Sequence, residues 1–220
     1  ISEEGIRPFE NWQANWREYF RPVKVGQSLI ILPSWETGFE FDGRHPVWID
    51  PGQGFGTGHH LSTALALEML EQYLLNIDTL PERMLDIGIG SGILAIAACR
   101  LGIQKVEGVD IETEAVSEVE RNSKLNGLSA RVKSVVGQPS SLKKSAPLVI
   151  SNMLLRELLD IRLDLVRLTS PGGTLICSGL LGEQVDELNI AVKQLGFEYC
   201  STLESENWRA VQFKRPVKLS

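Results

Sequence analysis

From residue 62 onward, the apolar positions of this 220-residue chain fall into two alternating patterns. Short apolar runs bounded by Gly, Pro, Asn or Asp, such as Met84-Leu85-Asp86-Ile87, read as buried strands. Longer stretches with apolar residues every three or four positions read as helices. Helices are expected over 62–75, 93–101, 112–126, 154–168 and 183–195, with Gly127 stopping the third. Strands are expected over 83–87, 105–109, 131–136, 148–151 and 174–178. Two last strands, 198–203 and 208–214, have no helix between them. Strand-helix alternation needs crossovers, which produce a parallel sheet covered on both faces, and the closing pair adds an antiparallel hairpin at one edge. The expected class is α/β.

The first 50 residues follow another pattern, since Trp12, Trp16, Trp35 and Trp48 place four of the five tryptophans there. Trp12, Trp16, Tyr19 and Phe20 fall on one face of a short helix over about 11–20, which Pro22 ends. Packing against the main domain is the expected use of that stripe. Two candidate strands follow, over 28–32 and 47–49. Composition therefore divides the chain near Asp50, into an aromatic-rich linker helix with small strands (1–50) and a main domain (51–220).

Charge narrows the partners. Twenty-two Lys and Arg against 28 Asp and Glu give a net charge of -6, which argues against a surface built for phosphate backbones and so against direct nucleic-acid binding. No apolar run approaches the roughly 20 residues of a membrane span. Three widely spaced cysteines, Cys99, Cys177 and Cys200, form neither a disulfide framework nor a zinc motif and fit a reduced, cytoplasmic setting. The opening Ile1-Ser2-Glu3-Glu4 resembles no targeting peptide, and its lack of an initiating Met points to a start partway through a longer polypeptide.

The sharpest chemical feature is Asp86-Ile87-Gly88-Ile89-Gly90-Ser91-Gly92, a strand running into a glycine-rich turn and then a helix. Such turns let a bulky ligand touch the main chain at the carboxyl ends of the strands. The spacing is G-x-G-x-G, with Ile at 93, which departs from the dinucleotide fingerprint. Asp86 argues in the same direction. A carboxylate there repels a pyrophosphate but attracts the cationic amino group and sulfonium of S-adenosylmethionine. Asp110, at the end of the next strand, is placed to accept both ribose hydroxyls, and Ile111 to cover the adenine face. A nicotinamide enzyme and a non-catalytic nucleotide binder remain the other readings of the turn.

Asn152 ends the fourth strand of the main domain, where the donor's reactive end is expected. Its amide oxygen can accept hydrogen bonds from an incoming amine and aim the nitrogen lone pair at the methyl group. Lysine and α-amine targets are both feasible. A second glycine-rich stretch, Gly52-Gln53-Gly54-Phe55-Gly56-Thr57-Gly58-His59-His60, lacks a phosphate-loop ending and is read as a mobile wall over the donor. His59 and His60 lack ligand spacing, so no metal is expected. Ser62 or Thr63 is the expected cap of the following helix, and a hydroxyl there also stands within reach of the donor.

Taken in order, Asp50-Pro51-Gly52, Phe55-Gly56-Thr57-Gly58, His60, Thr63, Leu85-Asp86-Ile87-Gly88-Ile89-Gly90-Ser91-Gly92, Asn152 and Ser178-Gly179-Leu180-Leu181 resemble the ribosomal protein L-eleven methyltransferases, PrmA. The resemblance implies a Rossmann-like, seven-stranded class I methyltransferase fold. It also implies S-adenosylmethionine-dependent methylation of amino groups on a large-subunit ribosomal protein, at lysines or the chain terminus. Carried over by position, the donor contacts fall on Thr63, Gly88, Asp110 and Asn152. The resemblance also implies that the chain is expected to start just after the family's small N-terminal recognition domain. The chain departs from the family at Gly58-His59-His60-Leu61-Ser62-Thr63 and at Ile89, where relatives usually carry a cysteine. The donor-site residues expected are thus Thr63, Asp86, Gly88, Gly90, Gly92, Asp110, Ile111 and Asn152, with Asn152 also aligning the acceptor. Two other functions stay open: a methyltransferase for another protein or a small amine, and a non-catalytic S-adenosylmethionine-binding module.

Overall fold

The computed structural model describes residues 20–50 and 60–217. The expected aromatic helix, apart from Phe20, and the glycine-rich stretch 52–59 lie outside the described residues.

A small sheet comes first. It orders β1 (Val23–Val25), β2 (Leu29–Pro33) and β3 (His45–Ile49), with β1 antiparallel and β3 parallel to β2. Strand β1 was not expected, because three residues are too few to show a period. The turn between β1 and β2 is held by Glu71 of helix α1 (Leu61–Leu75), whose carboxylate accepts the Gln27 and Ser28 N–H groups at 2.7 and 2.6 Å. Those two bonds offset the desolvation of a carboxylate that is almost fully buried. Val25, Leu29, Ile31, Val47 and Ile49 share one apolar core with Leu67 and Leu70 of α1. Packing therefore runs continuously across the compositional boundary at Asp50.

The main sheet has seven strands, ordered β6-β5-β4-β7-β8-β10-β9. These are β4 (Arg83–Ile87), β5 (Lys105–Asp110), β6 (Val132–Val136), β7 (Ala146–Asn152), β8 (Thr169–Leu181), β9 (Glu198–Ser205) and β10 (Trp208–Lys214). The first five in that spatial order are parallel, and β10 runs antiparallel between β8 and β9. Alternation along β4 explains the two-sided core. Met84 joins the core with α1 and helix α2 (Ile93–Arg100), while Leu85 and Ile87 join the opposite core. Helix α3 (Thr113–Leu125) covers β5 and β6 and adds Val119 to the first core.

Two expectations are corrected. The single helix over 154–168 is two, α4 (Leu155–Asp160) and α5 (Arg162–Leu168), divided at Ile161, whose ψ of 7° leaves the helical range. The break lets Leu155, Leu158, Leu165 and Leu168 all reach the second core, which helix α6 (Val185–Lys193) completes with Leu188 and Val192. The strand over 174–178 extends to Thr169–Leu181. Pro171-Gly172-Gly173 stays in the sheet as an irregularity, because the Gly172 N–H donates to the Arg215 carbonyl at 2.7 Å and the Arg215 N–H returns to Gly173 at 2.9 Å.

No described helix is long and apolar enough to cross a membrane. Cys99 and Cys177 are buried and Cys200 is exposed, with burial pushing the Cys177 thiol up to about 12. Since the thiolate is the reacting species, iodoacetamide under native conditions is expected to label Cys200 and leave Cys177 unmodified. Peptide mass spectrometry checks this.

Candidate active site

Adjacent parallel strands β5, β4 and β7 end at the same edge of the sheet, and the residues picked from sequence converge there. Strand β4 runs into the Gly88–Gly92 turn, which folds over the end of β5. The N–H groups of Gly88 and Ile89 both donate to the Val109 carbonyl, at 2.9 and 3.1 Å. Gly88 has φ 71°, a left-handed conformation that side chains other than glycine's resist. A Cβ at Gly88 would stand 2.8 Å from Met153 Sδ. The hydrogen at that position is therefore what lets the Met153 side chain pack against the turn, at its junction with β7.

Asp110 ends β5 half-buried and is already engaged by the main chain. Its Oδ2 accepts the Gly90 N–H at 3.0 Å, and its Oδ1 accepts the Glu112 N–H at 3.1 Å. A carboxylate has about four lone-pair positions, so two bonds fix its orientation and about two acceptors remain for neighbouring diol hydroxyls. Ile111, beside it, is 66 % exposed, an apolar face that the core does not use.

Asp86 sits differently from its expected place beside a ligand. It is 0 % exposed, on the Met84 face of β4, and neither carboxyl oxygen makes a well-formed hydrogen bond to a described residue, although the Ala95 N–H acts on it. Burial raises its pKa well above the ordinary carboxylate value, repulsion by Asp110 raises it further, and the Ala95 amide at the start of α2 opposes both. Asp86 thus lies beneath the turn, and a cation above it would be felt through the buried space, not by contact.

Asn152 closes β7, opposite Ser178 of β8. Its Nδ2 donates to Thr63 Oγ1 at 3.2 Å, and no described residue donates to its Oδ1. Thr63 lies one turn into α1, and its helix is capped by neither Ser62 nor Thr63. The His60 ring caps it: Nδ1 accepts the Ser62 N–H at 3.3 Å and lies 2.8 Å from Ser62 Oγ. The start of α1 is joined to the sheet by Ser178 Oγ, which donates to the Ser62 carbonyl at 2.8 Å. The His60 ring meets the Trp208 ring edge-on, centroids 4.6 Å apart.

Two residues near the site were given no role from sequence, although Gly179 stands in the Ser178-Gly179-Leu180-Leu181 motif. Met153 packs its side chain against Gly88. Gly179 has φ 86°, and a Cβ there would lie 2.4 Å from the Met153 carbonyl oxygen, so only glycine lets β8 approach the end of β7 this closely. The adjacency of Met153 to Asn152, and a glycine at the end of a buried strand, were the available signals.

These features fit an adenosyl methyl donor. Gly88 and Gly90 leave main chain partly exposed at the strand ends, Asp110 has acceptors to spare for its ribose, and Asp86 lies buried beneath the turn. Among the described residues no group of three or more His, Cys, Asp or Glu side chains is placed to hold a metal.

Comparison with known proteins gives the same picture. A family profile described as "Ribosomal protein L11 methyltransferase (PrmA)" matches residues 7–216. A protein of that name from Trichlorobacter lovleyi is 36% identical over 208 residues, covering 94% of this chain and 68% of its own length. Another from Exiguobacterium sibiricum is 35% identical, with 94% and 64% covered. Among solved structures, a ribosomal protein L11 methylase from Lactobacillus delbrueckii subsp. bulgaricus superposes with TM-score 0.81 at 27% identity, covering 90% of this chain and 99% of that one. An RNA methyltransferase from Salinibacter ruber, solved with S-adenosyl-L-homocysteine, shares the fold at TM-score 0.54 and 18% identity, over 70% and 94%.

Proposed function

The chain belongs to the ribosomal protein L11 methyltransferase (PrmA) family, and on that premise we propose that it transfers methyl groups from S-adenosylmethionine to amino groups of a large-subunit ribosomal protein. Lysine side chains and the N-terminal amine are the acceptors in this reading, and the cytoplasm is its setting. The observation that carries it is the Asn152–Thr63 pair beside the glycine turn: one amide, oriented by one hydroxyl, with an oxygen that accepts from no described residue.

S-adenosylmethionine supplies an electrophilic methyl group on a good leaving group. The protein's part is then placement. Thr63 fixes the Asn152 amide plane, and Asn152 Oδ1 accepts an amine N–H and turns the nitrogen lone pair along the line of displacement. The acceptor must first lose its ammonium proton. At neutral pH that costs roughly 4 to 5 kcal/mol for a lysine and about 1 for an α-amine. Gly88, Gly90 and Gly92 present main chain to the donor, Asp110 receives its ribose hydroxyls, and Ile111 covers its adenine. The division near residue 50 is one of roles in this reading, with the small sheet supporting the donor domain.

The test is transfer of labelled methyl into a ribosomal protein fraction. Label in a single large-subunit ribosomal protein is expected. Label only in other proteins or in small amines would overturn the substrate assignment, and donor binding without any transfer would leave a binding module. Asp110→Ala is expected to weaken S-adenosylhomocysteine binding about tenfold, the worth of a charge-assisted hydrogen bond. Calorimetric titration measures it, and unchanged affinity would remove Asp110 from the donor site.

A further inference from the structure

Helix α3 and its C-cap residue, Asn126, send two buried amides, one turn apart, toward β3, and their partners differ. Asn126 treats β3 as a neighbouring strand would. Its Nδ2 donates to the Trp48 carbonyl at 2.6 Å, and its Oδ1 accepts the Trp48 N–H at 3.0 Å. Asn122, 1 % exposed, accepts the Asp50 N–H at 2.8 Å through Oδ1 and donates from Nδ2 to the Ser91 carbonyl at 2.9 Å.

Ser91 belongs to the glycine turn. Its neighbour Gly90 is held by Asp110, and its other neighbour Gly92 opens α2 in a left-handed conformation, φ 80°. One amide therefore ties the donor turn to the end of β3. Strand β3 is in turn packed, through Val47 and Ile49, into the core that contains Leu67 and Leu70 of α1, the helix carrying Thr63. Only a side chain with a donor and an acceptor on one short fork satisfies both contacts. Aspartate has no donor for Ser91, and alanine orphans two buried main-chain groups.

We propose that Asn122 is a positioning residue that couples the donor turn to the small N-terminal sheet, so that donor binding is transmitted to β3. The proposal rests on the reading of the turn as the methyl-donor site. It differs from a purely structural role in one respect: Asn126, on the same helix face and bonded to the same strand, stabilises β3 without touching the turn.

The experiment compares wild type, Asn122→Ala and Asn126→Ala. Each is titrated calorimetrically with S-adenosylhomocysteine and followed by hydrogen exchange of the peptide containing residues 45–50, with and without that ligand. Both substitutions are expected to lower Tm. Asn122→Ala alone is expected to weaken binding about tenfold and to abolish the ligand-induced slowing of exchange in β3, which wild type and Asn126→Ala retain. An Asn122→Ala protein with wild-type affinity, or one that still slows exchange in β3 on binding, overturns the proposal. Should that variant not fold, Asn122→Asp decides, because it keeps an acceptor for Asp50 and lacks the donor for Ser91; unchanged affinity in it overturns the proposal. If folded wild type binds no S-adenosylhomocysteine, the donor reading fails and the proposal falls with it.

Discussion

Asn152→Ala is expected to slow methyl transfer by about 100-fold while leaving S-adenosylhomocysteine affinity within about threefold, the pattern of a group that orients the reacting amine and contributes little to ground-state binding. The side chain ends a buried strand, and the Ser151 hydroxyl beside it donates to the Ile87 carbonyl of β4, so the main chain at this point is fixed independently of the amide. Truncation therefore removes a hydrogen-bond acceptor without loosening the strand. Thr63→Val separates orientation from presence. It deprives Asn152 Nδ2 of its partner at 3.2 Å but leaves the amide in place, and a smaller loss, about tenfold, is expected. Single-turnover rates and calorimetric affinities check both. Equal losses of rate and affinity in Asn152→Ala would show that the residue holds the donor and does not align the acceptor.

The elements that position this site were legible because each carries a strong local signal. Strand β4 is a five-residue strand whose apolar Met84, Leu85 and Ile87 lead into a glycine turn, and its limits, Arg83–Ile87, are those read from sequence. Asn152, Asp110 and the glycines sit at strand ends, where the fold class alone directs attention. What was not legible depends on contacts distant in sequence. The Asn122 amide meets Ser91 and Asp50, 31 and 72 residues away, and on α3 it is one more polar residue of an amphipathic helix. The His60 cap looked like half of a histidine pair, because a ring accepting from Ser62 is a less common cap than the serine and threonine beside it. The break at Ile161 carries no glycine or proline and is set by the core beneath it. Gly179 is explained only by the Met153 carbonyl it lies against.

Asp86 was expected from sequence to stand beside a ligand, and its complete burial was not legible, since burial is a property of the whole fold. This leads to the second large effect expected. In the folded protein its pKa is raised, first by burial and then by Asp110, so folding favours the protonated form. The contribution to stability is complete below the unfolded value near 3.8 and is lost progressively as pH rises toward the folded value. Asp86→Asn cannot ionise. The difference in Tm, variant minus wild type, is therefore expected to move in the variant's favour from pH 4 upward and to level off above the folded pKa, whatever constant offset the buried amide introduces. Thermal unfolding of the ligand-free proteins across that range measures it. The cationic donor above the turn favours the ionised carboxyl, so its binding to wild type is expected to release a proton and to strengthen with pH over the same interval, and binding to Asp86→Asn to do neither. Calorimetry in two buffers of different ionisation enthalpy reads that proton directly. A Tm difference that is flat between pH 4 and 8 would mean that Asp86 folds as readily ionised as neutral, and the two buried oxygens beneath the turn would then need a partner other than a proton.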